Sequence, residues 1–133
     1  MKLFVLDSFA LLALFRDEIG SVRVEDLLLE AERDEVTLKM ASINLGEVFY
    51  RTVREHSLDR AQEVLAAIKQ MPIEIVPVDE NLALSAAEIK STIRISYAAC
   101  TAAALTQRLG AALVTGDRDF RQVPDLPVEW LPE

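Results

Sequence analysis

The sequence predicts an α/β protein, a three-layer α/β/α sandwich built around a sheet of five parallel strands. Short apolar runs alternate with amphipathic helical patterns along the chain, as in βαβ units. The first run, residues 3–6, is continuously apolar, which is typical of a strand buried on both faces. Right-handed crossovers between such strands place helices on both sides of the sheet. At 133 residues the chain is expected to form a single domain, residues 1–133.

Each strand is predicted from a short apolar run next to turn residues. These runs lie near residues 2–6, 38–41, 73–77, 111–114 and 128–130. All five prolines fall at predicted boundaries, where a missing backbone N–H is tolerated: Pro72, Pro77, Pro124, Pro127 and Pro132. The prolines therefore support the division of the chain into these elements.

Helices are predicted where apolar residues recur at spacings of three and four. They lie near residues 9–16, 22–34, 43–55, 58–70, 80–93 and 97–109. Gly20 separates the first two helices. Ser42 is expected to cap the amino end of the third helix, and Gly110 is expected to follow the last one.

Composition narrows the class of protein and the kind of site. No apolar stretch reaches the roughly 18 residues of a membrane span. Asp7 interrupts the first apolar run, which superficially resembles a signal peptide, so we expect a cytoplasmic protein with no membrane partner. A single cysteine, Cys100, excludes an intrachain disulfide and a cysteine zinc site. A single histidine, His56, excludes a multi-histidine metal site.

The net charge of −8 argues against a generic nucleic-acid-binding protein, because affinity for the phosphate backbone requires lysine and arginine. An enzyme that acts on phosphates through a bound cation is not excluded, since the ion then dominates the local charge. A basic partner protein could also cover an acidic surface.

Acidic residues follow the predicted strands at the end where α/β sheets carry their chemistry. Asp7 follows the first strand, and Asp117 closely follows the fourth. Glu47 lies about one turn inside the third helix, and Asn44 shares its helix face. Two such charges 4 Å apart repel by roughly 4 kcal/mol at an effective dielectric of about 20. A divalent cation such as Mg²⁺ or Mn²⁺ would relieve this repulsion. The alternative to a metal site is that Asp7 only caps the following helix and that Glu47 lies on a solvated helix face.

Four segments match the PIN-domain family in order and spacing. They are Val5-Leu6-Asp7-Ser8, Ile43-Asn44-Leu45-Gly46-Glu47-Val48, Ile95-Ser96-Tyr97-Ala98 and Val114-Thr115-Gly116-Asp117-Arg118-Asp119-Phe120. With its size and short helical insert, the whole chain resembles the VapC toxins of prokaryotic toxin–antitoxin pairs. The resemblance implies a Mg²⁺- or Mn²⁺-dependent endoribonuclease acting on RNA, a strand order of 3-2-1-4-5, a homodimer, and a small antitoxin that blocks the site.

The resemblance also implies roles for individual residues. Asp7, Glu47 and Asp117 would be the first, second and fourth acids of the family's site, with Asp7 and Asp117 binding the metal. Two hydroxyls and one further acid would support them: Ser8, Thr115 and Asp119.

One position departs from the family. The segment Ile-Ser-Tyr-Ala continues there with Asp, the third acid, whereas this chain has Ala99. Ala99 is a natural loss, an engineered Asp-to-Ala change that inactivates a toxic nuclease, or an ordinary residue of an alanine-rich helix. Mg²⁺ prefers six oxygen ligands, so loss of a carboxylate predicts weak or absent metal and impaired cleavage.

Several basic residues are candidates for contact with RNA or an antitoxin. Arg51 and Arg54 follow Glu47 by four and seven residues, so they share its helix face. They could guide RNA phosphates, bind an antitoxin carboxylate, or form ion pairs within the helix. Other basic residues could extend this rim: Arg16, Lys90, Arg94, Arg118 and Arg121. Tyr97 and Trp130 are expected to be packing residues.

Two classes of function follow from these observations. One is a metal-dependent endoribonuclease toxin impaired by Ala99, and the other is a non-cleaving module that binds RNA or an antitoxin. A phosphoacceptor domain is not supported, because the third predicted strand does not end in Asp and no lysine follows Lys90.

Overall fold

Five parallel strands form one sheet in the computed structural model, which describes residues 2–132. Their order across the sheet is β3-β2-β1-β4-β5, as the resemblance implied. The strands are β1 Lys2–Leu6, β2 Val36–Ala41, β3 Ile73–Val76, β4 Ala112–Thr115 and β5 Val128–Trp130. All neighbouring strands pair in parallel, so their carboxyl ends lie along one edge of the sheet.

Six α-helices connect the strands within the same residues, and each lies close to its predicted position. They are α1 Ser8–Phe15, α2 Ser21–Glu32, α3 Ser42–Glu55, α4 Leu58–Lys69, α5 Glu80–Thr92 and α6 Tyr97–Leu109. A short 3₁₀ helix, Arg118–Gln122, follows β4. No helix among residues 2–132 is long and apolar enough to cross a membrane.

Hydrophobic cores lie on both faces of the sheet, which confirms the three-layer prediction. Leu6 packs into one core with Leu11 and Leu27, from α1 and α2. Val5, one residue earlier in β1, packs into the other core with Leu105 of α6. Successive side chains of a strand point to opposite faces, so the continuous apolar run of β1 contributes to both cores.

The ends of two helices test the predicted caps. Gly110 adopts the left-handed conformation, with φ of 61°, at the end of α6, as expected for a glycine in that place. The prediction for Ser42 is wrong, because β2 runs into α3 without a linking residue and Ala41 takes the N-cap position. Ser42 is already helical, and its hydroxyl instead accepts a 3.3 Å hydrogen bond from the Val78 N–H.

Candidate active site

The adjacent strands β1 and β4 bring Asp7 and Thr115 together. Leu6 pairs with Val114 in the parallel register, so the residues that follow them meet at the carboxyl edge. Asp7 is the N-cap of α1, and its side chain is only 4% exposed. The capping alternative for Asp7 is thus correct as geometry, and it does not exclude a role in a site.

The carboxylate of Asp7 accepts two hydrogen bonds. The Ala10 N–H donates to Oδ1 at 3.0 Å, and the Thr115 hydroxyl donates to Oδ2 at 2.6 Å. Burial nevertheless raises the pKa of Asp7 to about 7, because desolvation outweighs these bonds and the charges of Asp117 and Glu47 add to its effect. A cation beside Asp7 would favour the ionised form and reverse this shift.

Helix α3 supplies Glu47 and Asn44 to the same place. The Ser8 hydroxyl donates a 2.7 Å hydrogen bond to Oε1 of Glu47, which links the first turns of α1 and α3. The amide nitrogen of Asn44 donates to the Ala98 carbonyl at 3.1 Å, and so ties α3 to α6. The other end of this amide, Oδ1 of Asn44, is buried and has no hydrogen-bond partner among residues 2–132.

The turn after β4 positions Asp117. Its backbone N–H donates to the Thr115 hydroxyl oxygen at 3.0 Å, so the same hydroxyl donates to Asp7 and accepts from Asp117. Oδ1 of Asp117 accepts a 3.0 Å hydrogen bond from the Asp119 N–H. Asp119 therefore supports Asp117 through its backbone, while its own side chain is exposed.

One small cavity of about 60 Å³ collects the predicted site residues. Its walls include Asp7, Ser8, Asn44, Glu47, Arg51, Ala99 and Asp117. Sequence reasoning missed three further lining residues: Phe9, Ser96 and Phe120. Ser96 had a detectable signal, because it directly precedes α6 and its hydroxyl caps that helix by accepting from the Ala99 N–H at 3.1 Å. The two phenylalanines had none, since they reach the cavity through tertiary packing.

A larger groove of about 540 Å³ is lined mainly by apolar residues. Ser42, Ile43, Val78 and Tyr97 contribute to it, but no carboxylate does. The acid chemistry therefore belongs to the smaller cavity.

The predicted basic rim is only partly formed. Arg51 lines the cavity, whereas Arg54 lies over the Tyr50 ring at 4.9 Å from its centroid. Arg16 donates to Glu55 at 2.6 Å, and this contact lowers the pKa of the Glu55 carboxyl. Lys90 donates to the Ile95 carbonyl at 2.8 Å, where it holds the turn before α6.

The donor set suits a hard divalent cation, although it is incomplete. Three carboxylates and the unpartnered Oδ1 of Asn44 are oxygen donors of the kind that Mg²⁺ and Mn²⁺ take. Ala99 adds only a methyl group to the same cavity. Over residues 2–132, no three acidic, histidine or cysteine side chains lie close enough together to hold a metal ion as they stand.

Several solved structures have a fold similar to that of this chain. Two solved structures cover nearly the whole chain: VapBC2 of Rickettsia felis bound to a promoter DNA fragment (TM-score 0.78, 18% identity, 98% of this chain and 99% of that one), and VapC20 of Mycobacterium tuberculosis, a sarcin–ricin loop cleaving toxin (0.77, 18%, 97% and 99%). DNA-bound VapBC of Salmonella typhimurium is similar (0.75, 20%, 97% and 98%). No curated protein sequence matches the chain. The model of the PIN domain matches residues 4–126, and the chain therefore belongs to the PIN-domain family.

Proposed function

We propose that this protein is a metal-dependent endoribonuclease toxin of a VapBC-type toxin–antitoxin pair, whose cleavage is impaired at Ala99. The single observation that carries the proposal is the convergence of Asp7, Glu47 and Asp117 on one cavity at the carboxyl edge of the sheet. The similar VapC20 of Mycobacterium tuberculosis is a sarcin–ricin loop cleaving toxin, which supports RNA as the substrate class.

In this proposal Asp7, Asp117 and Oδ1 of Asn44 would hold the cation, with Glu47 beside it. A bound Mg²⁺ or Mn²⁺ supplies Lewis acidity and activates water for attack on a phosphodiester. The chain's own groups prepare the site: the Thr115 hydroxyl fixes Asp7, and the Ser8 hydroxyl fixes Glu47. Arg51, which lines the cavity, offers a guanidinium to a substrate phosphate.

The pKa of Asp7 is raised to about 7, so this carboxyl group is partly protonated near neutral pH when no metal is bound. A metal ion requires the ionised carboxylate, so metal binding near neutral pH displaces that proton. We therefore expect Mn²⁺ affinity to rise with pH through this range.

The decisive experiment restores the carboxylate with Ala99→Asp. Mn²⁺ binding is measured by calorimetry, and cleavage by the release of fluorescence from a quenched RNA. We expect at least tenfold tighter Mn²⁺ binding and metal-dependent cleavage, both abolished in the double variant with Asp7→Asn. Ala99→Asn, of matched shape but neutral, should restore neither fully, because the missing element is a charged ligand.

If Ala99→Asp binds no more Mn²⁺ than the parent chain, the metal-site proposal is wrong. A second candidate, favoured by Ala99 itself, is a module that binds RNA or an antitoxin without cleavage. Retention of RNA binding by the parent together with no cleavage by Ala99→Asp would support it.

An antitoxin partner, a homodimer, a single domain and a cytoplasmic location belong to the same proposal. The similar structures from Rickettsia felis and Salmonella typhimurium are VapBC assemblies, which supports an antitoxin partner. A short basic reading frame directly upstream, encoding a DNA-binding fold, would identify that partner. Light scattering after size-exclusion chromatography measures the oligomeric state.

A further inference from the structure

Two arginines and the single tryptophan of the chain form a cluster beside the site, which we call the Arg–Trp cluster. The guanidinium carbon of Arg118 lies 4.7 Å from the centroid of the Trp130 ring, and that of Arg121 lies 5.7 Å from it. Both distances fall within the roughly 6 Å range of cation–π attraction. Trp130 is 36% exposed, so the expectation that it serves only for packing is incomplete.

The Arg–Trp cluster lies on the same sheet edge as the acids. Thr115 pairs with Trp130 in the parallel register of β4 and β5. Neighbouring strands are about 4.8 Å apart, so the cluster begins one strand away from the hydroxyl that bonds Asp7. Arg118 directly follows Asp117 in sequence, at the start of the 3₁₀ helix.

The contacts around the cluster leave the positive charge of Arg121 available to a ligand. Glu129, the acid next to Trp130 on β5, accepts from Arg23 at 2.6 Å and is thereby neutralised. Arg121 is exposed and forms no ion pair with any residue of the described part of the chain. Arg118 donates to the Leu131 carbonyl at 3.2 Å, which fixes its guanidinium against the ring.

These cations stand at an edge that would otherwise repel a nucleic acid. The chain carries a net charge of −8, and three carboxylates line the neighbouring cavity. Approach of a phosphate backbone to such an edge requires local arginines or lysines. Guanidiniums already held on an aromatic face lose less freedom when they bind phosphate, so they bind it at a lower entropic cost.

We propose that the Arg–Trp cluster binds the phosphates of a single-stranded RNA as it passes the acidic cavity. The inference rests on the proposed function, because it assigns the cluster to the same substrate. It adds a binding subsite on β5 and the 3₁₀ helix, separate from the carboxylates.

The single tryptophan makes the subsite directly observable. An unlabelled single-stranded RNA ten nucleotides long is titrated in EDTA while Trp130 emission is recorded, and a labelled copy gives the affinity by anisotropy. We expect the emission change to saturate with the affinity that anisotropy reports. Arg118→Gln/Arg121→Gln should weaken binding at least tenfold and reduce the slope of log K against log salt by about 0.7 per lost phosphate contact.

The matched control is Arg33→Gln/Arg60→Gln, which removes the same charge from two exposed positions. Arg33 directly follows α2, and Arg60 lies on α4. The control should bind RNA nearly as tightly as the parent. If the double variant does not fold, the single variant Arg121→Gln tests the same proposal, because this side chain is exposed and has no ion pair among the described residues. Its affinity for RNA should fall about threefold.

Equal RNA affinity in the parent and the Arg118→Gln/Arg121→Gln variant would overturn the proposal, as would unchanged Trp130 emission at saturating RNA. Equally tight binding of a glutamate peptide with the same charge would also overturn it, in favour of an acidic protein partner. All of these measurements are made without divalent metal. Failure here is therefore distinct from failure of Ala99→Asp to bind Mn²⁺ or cleave RNA.

Discussion

The hydroxyl of Thr115 lies 2.6 Å from Oδ2 of Asp7 and joins the carboxyl ends of β4 and β1. This hydrogen bond favours the ionised carboxylate, but burial disfavours it more strongly, and the pKa of Asp7 rises to about 7. In the absence of metal, Asp7 therefore carries a proton for part of the time near neutral pH. Ionisation of Asp7 is therefore costly unless a cation binds beside the carboxylate.

We predict that this cost makes the fold less stable as pH rises. Between the unfolded value of 3.8 and about 7, the folded chain holds a proton on Asp7 that the unfolded chain has lost. Raising the pH through this window therefore lowers the free energy of unfolding, by about 4 kcal/mol at most. Asp7→Asn removes the titration, so its stability relative to the parent should rise from pH 4 to 7 and then level off. Urea unfolding in EDTA at several pH values measures the difference.

The isosteric variant Thr115→Val provides the companion test. It deletes the hydrogen bond that lowers the pKa of Asp7, so the loss of stability should continue to higher pH and become larger in total. Parallel stability curves for the parent and Asp7→Asn would show that Asp7 does not titrate there, and would contradict the prediction.

The unpartnered Oδ1 of Asn44 gives a second prediction, made in the Ala99→Asp chain where metal binding is measurable. Asn44→Ala should weaken Mn²⁺ binding several-fold, because it removes an oxygen donor from the cavity. It should also lower the free energy of unfolding by about 1 kcal/mol through the lost hydrogen bond to Ala98. Calorimetry with Mn²⁺ and urea unfolding measure the two effects separately.

Thr52→Val is the matched control on the same helix. It removes a buried hydrogen bond from the Thr52 hydroxyl to the Val48 carbonyl, 2.7 Å long, two turns beyond Asn44. A similar loss of stability with unchanged Mn²⁺ affinity is expected. If both variants weaken Mn²⁺ binding equally, Asn44 acts only through the fold.

The placement of the acids was predictable because it follows from topology. Asp7 and Asp117 come after buried parallel strands, and the carboxyl ends of such strands share an edge whatever the details of packing. Glu47 followed by the same reasoning, since it lies one turn into the helix after β2.

Other features depend on contacts between distant segments, which a single sequence does not reveal. The prediction that Ser42 caps α3 was wrong because the residue pattern does not show that β2 continues directly into α3. Trp130 meets Arg118 and Arg121 only once β5 has paired with β4. Phe9 reaches the cavity through its packing against Gly116, which local propensity does not encode.

That last contact supports a third prediction. A Cβ built on Gly116 would lie 2.3 Å from Cε1 of Phe9, so Gly116→Ala must displace the ring that lines the cavity. We expect a loss of about 1–3 kcal/mol in the free energy of unfolding, as for an overpacked core.

A double-mutant cycle with Phe9→Leu isolates the clash from other effects of the added methyl group. Gly116→Ala should cost much less in the Phe9→Leu background, because the shorter side chain leaves room for the new Cβ. Gly46→Ala is the control, since a Cβ there meets nothing within 4 Å. Additive losses in the cycle would mean that Gly116 is required for its backbone and not for the space it leaves to Phe9. A coupling above about 0.5 kcal/mol would instead establish that Gly116 leaves the space that the Phe9 ring occupies beside the acidic cavity.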